Sequence, residues 1–389
     1  MATKKDADKL GSPDWLLLLA TAGLVAMGLM MVYSSTFDMA YRGYGDAAYF
    51  FKRQLLALAV GLGAIVATNL VHYRHLMKVS IPIMAGTLIM LGILAITGQR
   101  LLFGPSISPG ELAKLALVIY VGHWLASKRA EQLRRLPVGP LPFTIIVGVV
   151  AGLVVAQPDF SEALVIILVG LVMFFMAGAH PLQFAIGIFG GAAAFVLVVQ
   201  RFGVAMDRIR PFLESWKNPL ASTNEHLVQG LIAIGSGGVF GLGPGGGRMK
   251  YRWLPTPHTD SIFAIVGEEL GLVGCLLIIG LFALLAYRGF RIARDAPDTF
   301  GGLLCVGITS WITIQAIINM AVITGTIPYT GIVLPFVSVG GSSLVTCLAG
   351  VGIMLNVSRA ANAQQASVEV RGSMPAMQRA SNVKHGTIA

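Results

Sequence analysis

An aspartate lies where a polar segment of the chain meets an apolar one. The polar segment ends in Leu254-Pro-Thr-Pro-His-Thr-Asp-Ser-Ile-Phe263, and the residues that follow are largely apolar. A carboxylate at such a boundary is partly desolvated, which suits Asp260 to accept a proton as a general base. The alternative is that Thr259 or Asp260 caps the following helix, and chemistry alone favours the cap.

Ionisable residues also lie inside apolar runs, where they are candidates for function. Glu268 and Glu269 follow about two turns into the run that begins after Asp260. For these two glutamates the sequence supports a functional role and a structural ion pair with another helix equally. Glu111 and Lys114 are spaced i and i+3, so they share one helix face. A local ion pair is favoured, and a lysine that faces a polar cavity and binds a phosphate is the alternative.

Further polar residues flank predicted helix ends. Asp159 and Glu162 follow Pro158, where capping is favoured over a cavity wall or a cation site. The segment Gly340-Gly-Ser-Ser343 permits close helix packing or lines a cavity, and packing is favoured. A long segment at about 201–260 is rich in basic residues that would bind an anion such as a pyrophosphate or remain solvated: Arg201, Arg208, Arg210, Lys217, Arg248, Lys250 and Arg252.

The composition indicates that these residues lie in a membrane protein. Hydrophobic residues make up 55% of the 389 residues and charged residues 12%, whereas soluble proteins have about 25% charged residues. The 47 glycines suit close packing of membrane helices. The net charge of +10 does not indicate nucleic-acid binding, because the basic residues are spread over loops between apolar runs.

Ten apolar runs of spanning or near-spanning length predict an all-α membrane protein with about ten transmembrane helices. Their approximate bounds are 15–36, 55–71, 79–97, 112–126, 143–156, 163–178, 183–199, 261–287, 301–323 and 333–356. We interpret Gln157-Pro158-Asp159 as a tight turn between two helices; a single kinked helix is the alternative. The three cysteines lie in or beside apolar runs and are expected to be small core residues.

The distribution of Lys and Arg predicts the orientation. With the N-terminus in the cytoplasm, most basic residues of the short loops fall on the cytoplasmic side. We therefore expect a cytoplasmic leader at 1–13, a polytopic domain at 14–358 and a disordered cytoplasmic tail at 359–389. The segment 201–260 then becomes a large extracytoplasmic loop before the eighth helix. Its apolar part after His226 is expected at the membrane surface or as a short helix.

Several segments together resemble the SEDS family (shape, elongation, division and sporulation), which includes FtsW and RodA. They are Met31-Val-Tyr-Ser-Ser35, Ser108-Pro-Gly-Glu-Leu-Ala-Lys114, Gln157-Pro-Asp159, Leu231-Ile-Ala-Ile-Gly-Ser-Gly-Gly238, Leu254-Pro-x-x-His-Thr-Asp260, Gly267-Glu-Glu-Leu-Gly271 and Pro335-Phe-x-Ser-x-Gly-Gly-Ser-Ser343. The glutamate pair and the final Gly-Gly-Ser-Ser are more similar to FtsW. The chain departs from the family pattern at Ser261, Val339 and Asn218-Pro219.

The resemblance implies a peptidoglycan glycosyltransferase that polymerises lipid II during septal cell-wall synthesis, in the bacterial inner membrane. It implies a class B penicillin-binding protein and other division proteins as partners. Asp260 would be the catalytic residue. The substrate-binding candidates are Lys114, Arg208, Arg210, Arg248, Lys250, His258, Glu268, Glu269, Ser338 and Ser342. No metal-binding residues are assigned, although a divalent cation, Mg or Mn, would suit the leaving pyrophosphate. The rival functions are a flippase for the same lipid-linked precursor and a non-catalytic division scaffold.

Overall fold

The chain forms a bundle of apolar α-helices. The computed structural model describes residues 11–97, 108–201, 211–214, 225–251, 253–254 and 256–373, and these residues form helices, turns and loops without β-strands. In chain order the helices are α1 (Trp15–Tyr44), α2 (Tyr49–Leu70), α3 (His75–Thr97), α4 (Pro109–Ala126), α5 (Ala130–Leu133), α6 (Pro140–Val155), α7 (Phe160–Met176), α8 (Pro181–Arg201), α9 (Glu225–Gly237), α10 (Ile262–Arg294), α11 (Thr299–Ile323) and α12 (Gly341–Ser373).

The all-helical prediction is confirmed for this part of the chain, since a helix occupies each of the ten apolar runs. Among the residues that the structure describes, six helices are long and apolar enough to cross a membrane, namely α1, α2, α3, α10, α11 and α12. The same described residues include shorter apolar helices at Pro140–Val155, Phe160–Met176 and Pro181–Ala193. The chain is therefore a multi-pass membrane protein, and the number of ten spans stays a prediction.

The segment at 157–159 is a turn between two helices. Helix α6 ends at Val155 and α7 begins at Phe160, and the two helices pack against each other. Asp159 is the N-cap of α7, and its side chain accepts a hydrogen bond of 3.2 Å from the backbone N–H of Glu162. The structure thus favours the tight turn over the single kinked helix, and it confirms the capping role of Asp159.

Helix α11 forms the centre of the bundle. It packs against α4, α7, α10 and α12, and 78% of its most apolar stretch is buried, compared with 17% for α2. A helix enclosed by protein can carry polar side chains, because neighbouring helices can supply the hydrogen-bond partners that hydrocarbon cannot. Buried Gln315 and Asn319 lie on α11.

Several helix bounds differ from the sequence predictions, most clearly in α1 and α12. Helix α1 continues to Tyr44, beyond the predicted end at 36. Helix α12 begins at Gly341 instead of 333, because Pro335 and the glycine pair favour a loop. The same helix runs on to Ser373, so the first part of the predicted disordered tail is helical. The short helix expected after His226 is α9, at Glu225–Gly237.

Candidate active site

Asp260 is not the capping residue of the helix that follows it. The N-cap of α10 is Ser261, whose side chain makes no capping hydrogen bond, and the hydroxyl of Thr259 instead donates to the carbonyl of Thr256. The Asp260 carboxylate accepts a hydrogen bond at Oδ2 from the hydroxyl of Tyr329. Its side chain is half-buried beside the first residue of α10. Because the carboxylate does not cap the helix, it is available for chemistry.

Hydrogen bonds connect the backbone around Asp260 to α11 and to the loop between α11 and α12. Asn319 donates from Nδ2 to the carbonyl of Asp260 at 2.8 Å and to the carbonyl of Ile332 at 2.6 Å. Ser338 donates from Oγ to the carbonyl of Thr259 at 2.6 Å. These bonds fix the position of the aspartate by two segments that are far from it in sequence.

Two histidine rings lie near this aspartate. The ring of His226 stacks on that of Tyr329, with centroids 4.1 Å apart and planes inclined by 21°. The ring centroid of His258 lies 6.0 Å from that of Phe50. The Nδ1 atoms of both histidines are buried, without a hydrogen-bond partner among the described residues. Burial lowers the pKa of both imidazoles, and the negative charge of Asp260 partly opposes this shift.

Lys114 lies in a second group of polar residues, buried between α4, α7 and α11. Its Nζ is 3.0 Å from Glu111 Oε1 and 2.7 Å from Glu162 Oε2, and it donates to Gln315 Oε1 at 2.7 Å. The ammonium also lies 5.4 Å from the ring centroid of Trp311. The predicted ion pair with Glu111 is present, and Glu162 from α7 adds a second carboxylate. Lys114 is therefore held by protein groups on several sides.

Helix α11 joins the Lys114 cluster to Asp260. Gln315 also donates from Nε2 to the carbonyl of Val333 at 3.2 Å, and Asn319 lies one helical turn further along. One turn corresponds to a rise of about 5.4 Å. The amides of α11 and the loop residues 329–334 thus connect the two predicted site residues, although neither amide was singled out from the sequence.

Glu268, Glu269 and Lys250 form a further buried cluster. Lys250 Nζ lies 2.7 Å from Glu269 Oε1 and donates to Ser34 Oγ at 3.0 Å. Glu268 Oε1 accepts the backbone N–H of Arg248 at 2.6 Å, whereas the Arg248 side chain is exposed. These contacts attach the loop before α10 to α10 itself and to α1. The Lys250–Glu269 pair is a structural ion pair, which is one of the two alternatives that the sequence left open.

This loop can approach α10 closely because both segments contain glycine. Gly271 has φ +65° and interrupts the helical geometry of α10. A Cβ atom at this position would lie 2.4 Å from the backbone nitrogen of Gly241. Leu242 and Gly243 donate their N–H groups to the carbonyls of Glu268 and Glu269, each at 3.0 Å. Glycine is required here by both its conformation and the available space.

The two predicted serine contacts lie at the start of α12 and in the loop before it. Ser338 receives the N–H of Leu334 at 2.8 Å, and Ser342 Oγ accepts the N–H of Ser108 at 3.0 Å. Gln54 on α2, which the sequence analysis missed, donates to the carbonyl of Ser338 at 3.4 Å. No sequence signal identified Gln54, because it follows Lys52 and Arg53 and precedes the predicted apolar run at 55–71.

Two predicted substrate-binding residues, Arg208 and Arg210, lie outside the described residues. Among the residues that the structure describes, no three His, Cys, Asp or Glu side chains converge as a metal site would require. The predicted contribution of a divalent cation stays a prediction.

Known proteins resemble this chain over most of its length. The family model described as "Cell cycle protein", which covers FtsW, RodA and SpoVE, matches residues 14–363. A probable peptidoglycan glycosyltransferase FtsW from Trichlorobacter lovleyi is 37% identical, over 90% of this chain and 94% of its own. Stage V sporulation protein E from Bacillus subtilis is 40% identical, over 92% and 99%. A chain of a peptidoglycan synthase complex that coordinates polymerization and crosslinking superposes with a TM-score of 0.71 and 27% identity, over 89% and 98%.

Proposed function

The chain belongs to the FtsW, RodA and SpoVE family of cell cycle proteins, and we propose that it is a peptidoglycan glycosyltransferase that polymerises lipid II. The sequence resemblance to this family is thereby confirmed. The observation that carries the mechanism is the Asp260 carboxylate, which does not cap α10 and accepts a hydrogen bond from Tyr329, while Asn319 binds the backbone carbonyl of the same residue.

In the proposed reaction Asp260 acts as the general base. A hydroxyl of the acceptor sugar loses its proton to the carboxylate as its oxygen attacks the anomeric carbon of a second lipid-linked sugar. The new C–O glycosidic bond forms while the bond from that carbon to the pyrophosphate oxygen breaks. The leaving group is polyprenyl pyrophosphate, and the configuration at the anomeric carbon inverts.

The leaving pyrophosphate needs positive charge nearby. The exposed side chain of Arg248 is available in the described part of the outer loop, and we assign the same task to Arg208 and Arg210. Lys114 and Lys250 are less suited to direct contact, because both are buried and each already pairs with a carboxylate at 2.7 Å. We propose that these two lysines support the site by holding its helices and the outer loop.

The orientation and partners of the protein complete the proposal. We place both termini in the cytoplasm and residues 201–260 outside, from the Lys and Arg distribution. The substrate is then lipid II in the outer leaflet. The related synthase complex coordinates polymerization and crosslinking, which supports a class B penicillin-binding protein as the crosslinking partner. The relatives named FtsW support a role in septal synthesis with other division proteins.

A flippase for the same precursor is the rival function. A flippase requires polar groups along the whole crossing, near the membrane midplane. Asp260 instead lies before the first residue of α10, at one end of the bundle. A non-catalytic scaffold would make the Asp260 carboxylate dispensable. The position of the acid therefore favours a polymerase that works at one membrane face.

The test is the variant Asp260→Asn in the purified full chain with lipid II, with glycan chains resolved on a gel. Loss of a general base lowers rates by about 10²–10⁴-fold, so we expect polymerisation to be abolished. Asp298→Asn is the matched control, since Asp298 caps α11 with a 2.8 Å bond to the Gly301 N–H and asparagine caps about as well. Thermal melting in detergent checks folding. A near-parent rate for Asp260→Asn would refute the mechanism, and lipid II translocation by the parent without chain formation would favour the flippase.

A further inference from the structure

An aromatic cluster lies on the hairpin between α1 and α2, apart from the groups that the proposed reaction uses. The rings of Tyr44 and Tyr49 stack with centroids 3.9 Å apart and planes inclined by 7°. Phe50 meets both edge-on, at 5.7 Å from Tyr44 and 5.3 Å from Tyr49. Stacked and edge-to-face rings are the favourable arrangements of aromatic pairs. The three side chains therefore hold one another in place.

The cluster presents aromatic surface to the surroundings. Tyr44 is 57% exposed and Tyr41 is 65% exposed. Because they are three residues apart in α1, their side chains lie on the same face of the helix. Tyr49 covers one face of the Tyr44 ring, so the exposed surface is on its other side. Two exposed tyrosines, one of them fixed by stacking, make a surface that a ligand can bind without first ordering it.

The hairpin is charged as well as aromatic. Arg42 pairs with Asp38 at 2.9 Å, and Lys52 pairs with Asp46 at 2.8 Å. The hydrogen bond from Lys52 lowers the pKa of the partly exposed Asp46 carboxyl. Charged groups are costly in hydrocarbon, so this end of α1 lies in water or among head groups. An interfacial aromatic belt would explain tyrosines at this depth, but it would not explain the contact between Phe50 and His258.

The cluster reaches the candidate active site. The ring centroid of Phe50 lies 6.0 Å from that of His258, two residues before Asp260. Rings in contact thus lead from the exposed Tyr44, through Phe50, to the segment that carries the proposed base. A belt residue that only anchors the protein in lipid has no need of this continuity. The exposed tyrosines therefore lie beside the candidate active site.

We propose that Tyr41 and Tyr44 bind sugar rings of the growing glycan strand next to the active site. The inference rests on the proposed function. A pyranose ring has an apolar face of C–H groups that packs on an aromatic ring, and the tyrosine hydroxyl can bind sugar amides and hydroxyls. The aromatic surface would retain the strand between additions. It contributes to the length of the product and takes no part in the chemical step.

The experiment compares product lengths made by the full chain from labelled lipid II, with initial rates measured in the same reactions. We expect the double variant Tyr41→Ala/Tyr44→Ala to make chains shorter by about two- to tenfold, the range that an aromatic contact contributes, at an unchanged initial rate. Tyr44→Phe keeps the ring and is expected to make chains of nearly parent length. Trp15→Ala, an aromatic that is 69% exposed at the first residue of α1, is the matched control.

A direct binding measurement uses N-acetylglucosamine hexasaccharide as the probe, titrated into detergent-solubilised parent and double variant. We expect weaker binding by the variant. Unchanged chain length and unchanged hexasaccharide binding would overturn the inference. Shorter chains only when a partner transpeptidase is added would also overturn it, since the surface would then bind protein. A parent that forms no chains from lipid II would refute the proposed function itself, a result distinct from either.

Discussion

Gln315 and Asn319 lie one turn apart on α11, and each binds one of the two residues singled out for chemistry. Gln315 accepts a hydrogen bond from Lys114 at 2.7 Å, and Asn319 donates to the carbonyl of Asp260 at 2.8 Å. Both amides also bind the loop before α12, at Val333 and Ile332. One rigid helix therefore sets the distance between the lysine cluster and the proposed base.

We predict that Asn319→Ala lowers the polymerisation rate at least tenfold while the concentration of lipid II for half-maximal rate changes less. The change leaves the carbonyls of Asp260 and Ile332 without their donor, and an unsatisfied buried group costs about 1–3 kcal/mol. A displaced carboxylate would meet the acceptor hydroxyl in the wrong geometry. Steady-state kinetics on folded protein measure the effect.

Asn356→Ala is the matched control for this prediction. Asn356 also donates to two backbone carbonyls, Thr68 at 2.7 Å and Val71 at 3.0 Å, but it lies on α12 beside the turn that joins α2 and α3. We expect a similar loss of stability and a retained rate per folded molecule. Equal loss of rate in both variants would show that Asn319 acts only through general stability.

The helices could be predicted from sequence, whereas the contacts between them could not. Apolar runs predicted α10 from 261, and the structure begins it at Ile262. The Glu111–Lys114 pair followed from i, i+3 spacing, because spacing defines a helix face. The contact of Lys114 with Glu162 depends on how α4 packs against α7, and no local pattern contains that information.

The same reasoning explains what was missed in the candidate site. Asp260 was found because it lies at a boundary between polar and apolar sequence. Tyr329 was not, because a tyrosine in a loop is common and only the fold brings it to Asp260. Gln315 and Asn319 carried a usable signal, because they are amides inside an apolar run, although they bear no charge.

Arg208 and Arg210 are expected to assist binding of the substrate pyrophosphate. Guanidinium groups form paired, charge-assisted hydrogen bonds with phosphate oxygens. Replacing both with Gln should raise the concentration of lipid II for half-maximal rate and leave the maximal rate less affected. Arg294→Gln, a strongly exposed arginine near the end of α10, serves as the control. An unchanged concentration dependence would mean that the pair is merely solvated.

The buried histidines predict how stability depends on pH. Burial lowers the pKa of His226 and His258 in the folded protein below the ordinary value of 6.5. The unfolded chain then binds protons more readily, so their contribution to stability is full above about pH 6.5 and declines as pH falls. The melting temperature should decrease between about pH 6.5 and 5. His258→Gln should reduce this decrease, whereas the exposed His180→Gln should not; equal slopes in all three proteins would contradict the prediction.

The last prediction concerns Lys250 and Glu269, whose side chains are 2.7 Å apart and almost fully buried. Lys250→Met should lower the free energy of unfolding by about 3–5 kcal/mol, because Glu269 would keep a buried charge without its partner. Glu269→Gln should lower the free energy of unfolding by a comparable amount, because the Lys250 ammonium would then be buried without its partner. Denaturation in detergent, followed by loss of helical signal, provides the measurement.

The double variant separates a structural pair from a substrate contact. If the two residues serve mainly each other, Lys250→Met/Glu269→Gln should recover part of the lost stability, because no unpaired charge remains buried. The exposed pair of Lys52 and Asp46, at 2.8 Å, is the control, and Lys52→Met should change stability little. A substrate contact would behave differently: Lys250→Met would leave unfolding unchanged and would raise the lipid II concentration for half-maximal rate. That result would return Lys250 to the pyrophosphate site and would remove it from the contacts that attach the loop before α10 to α10 itself.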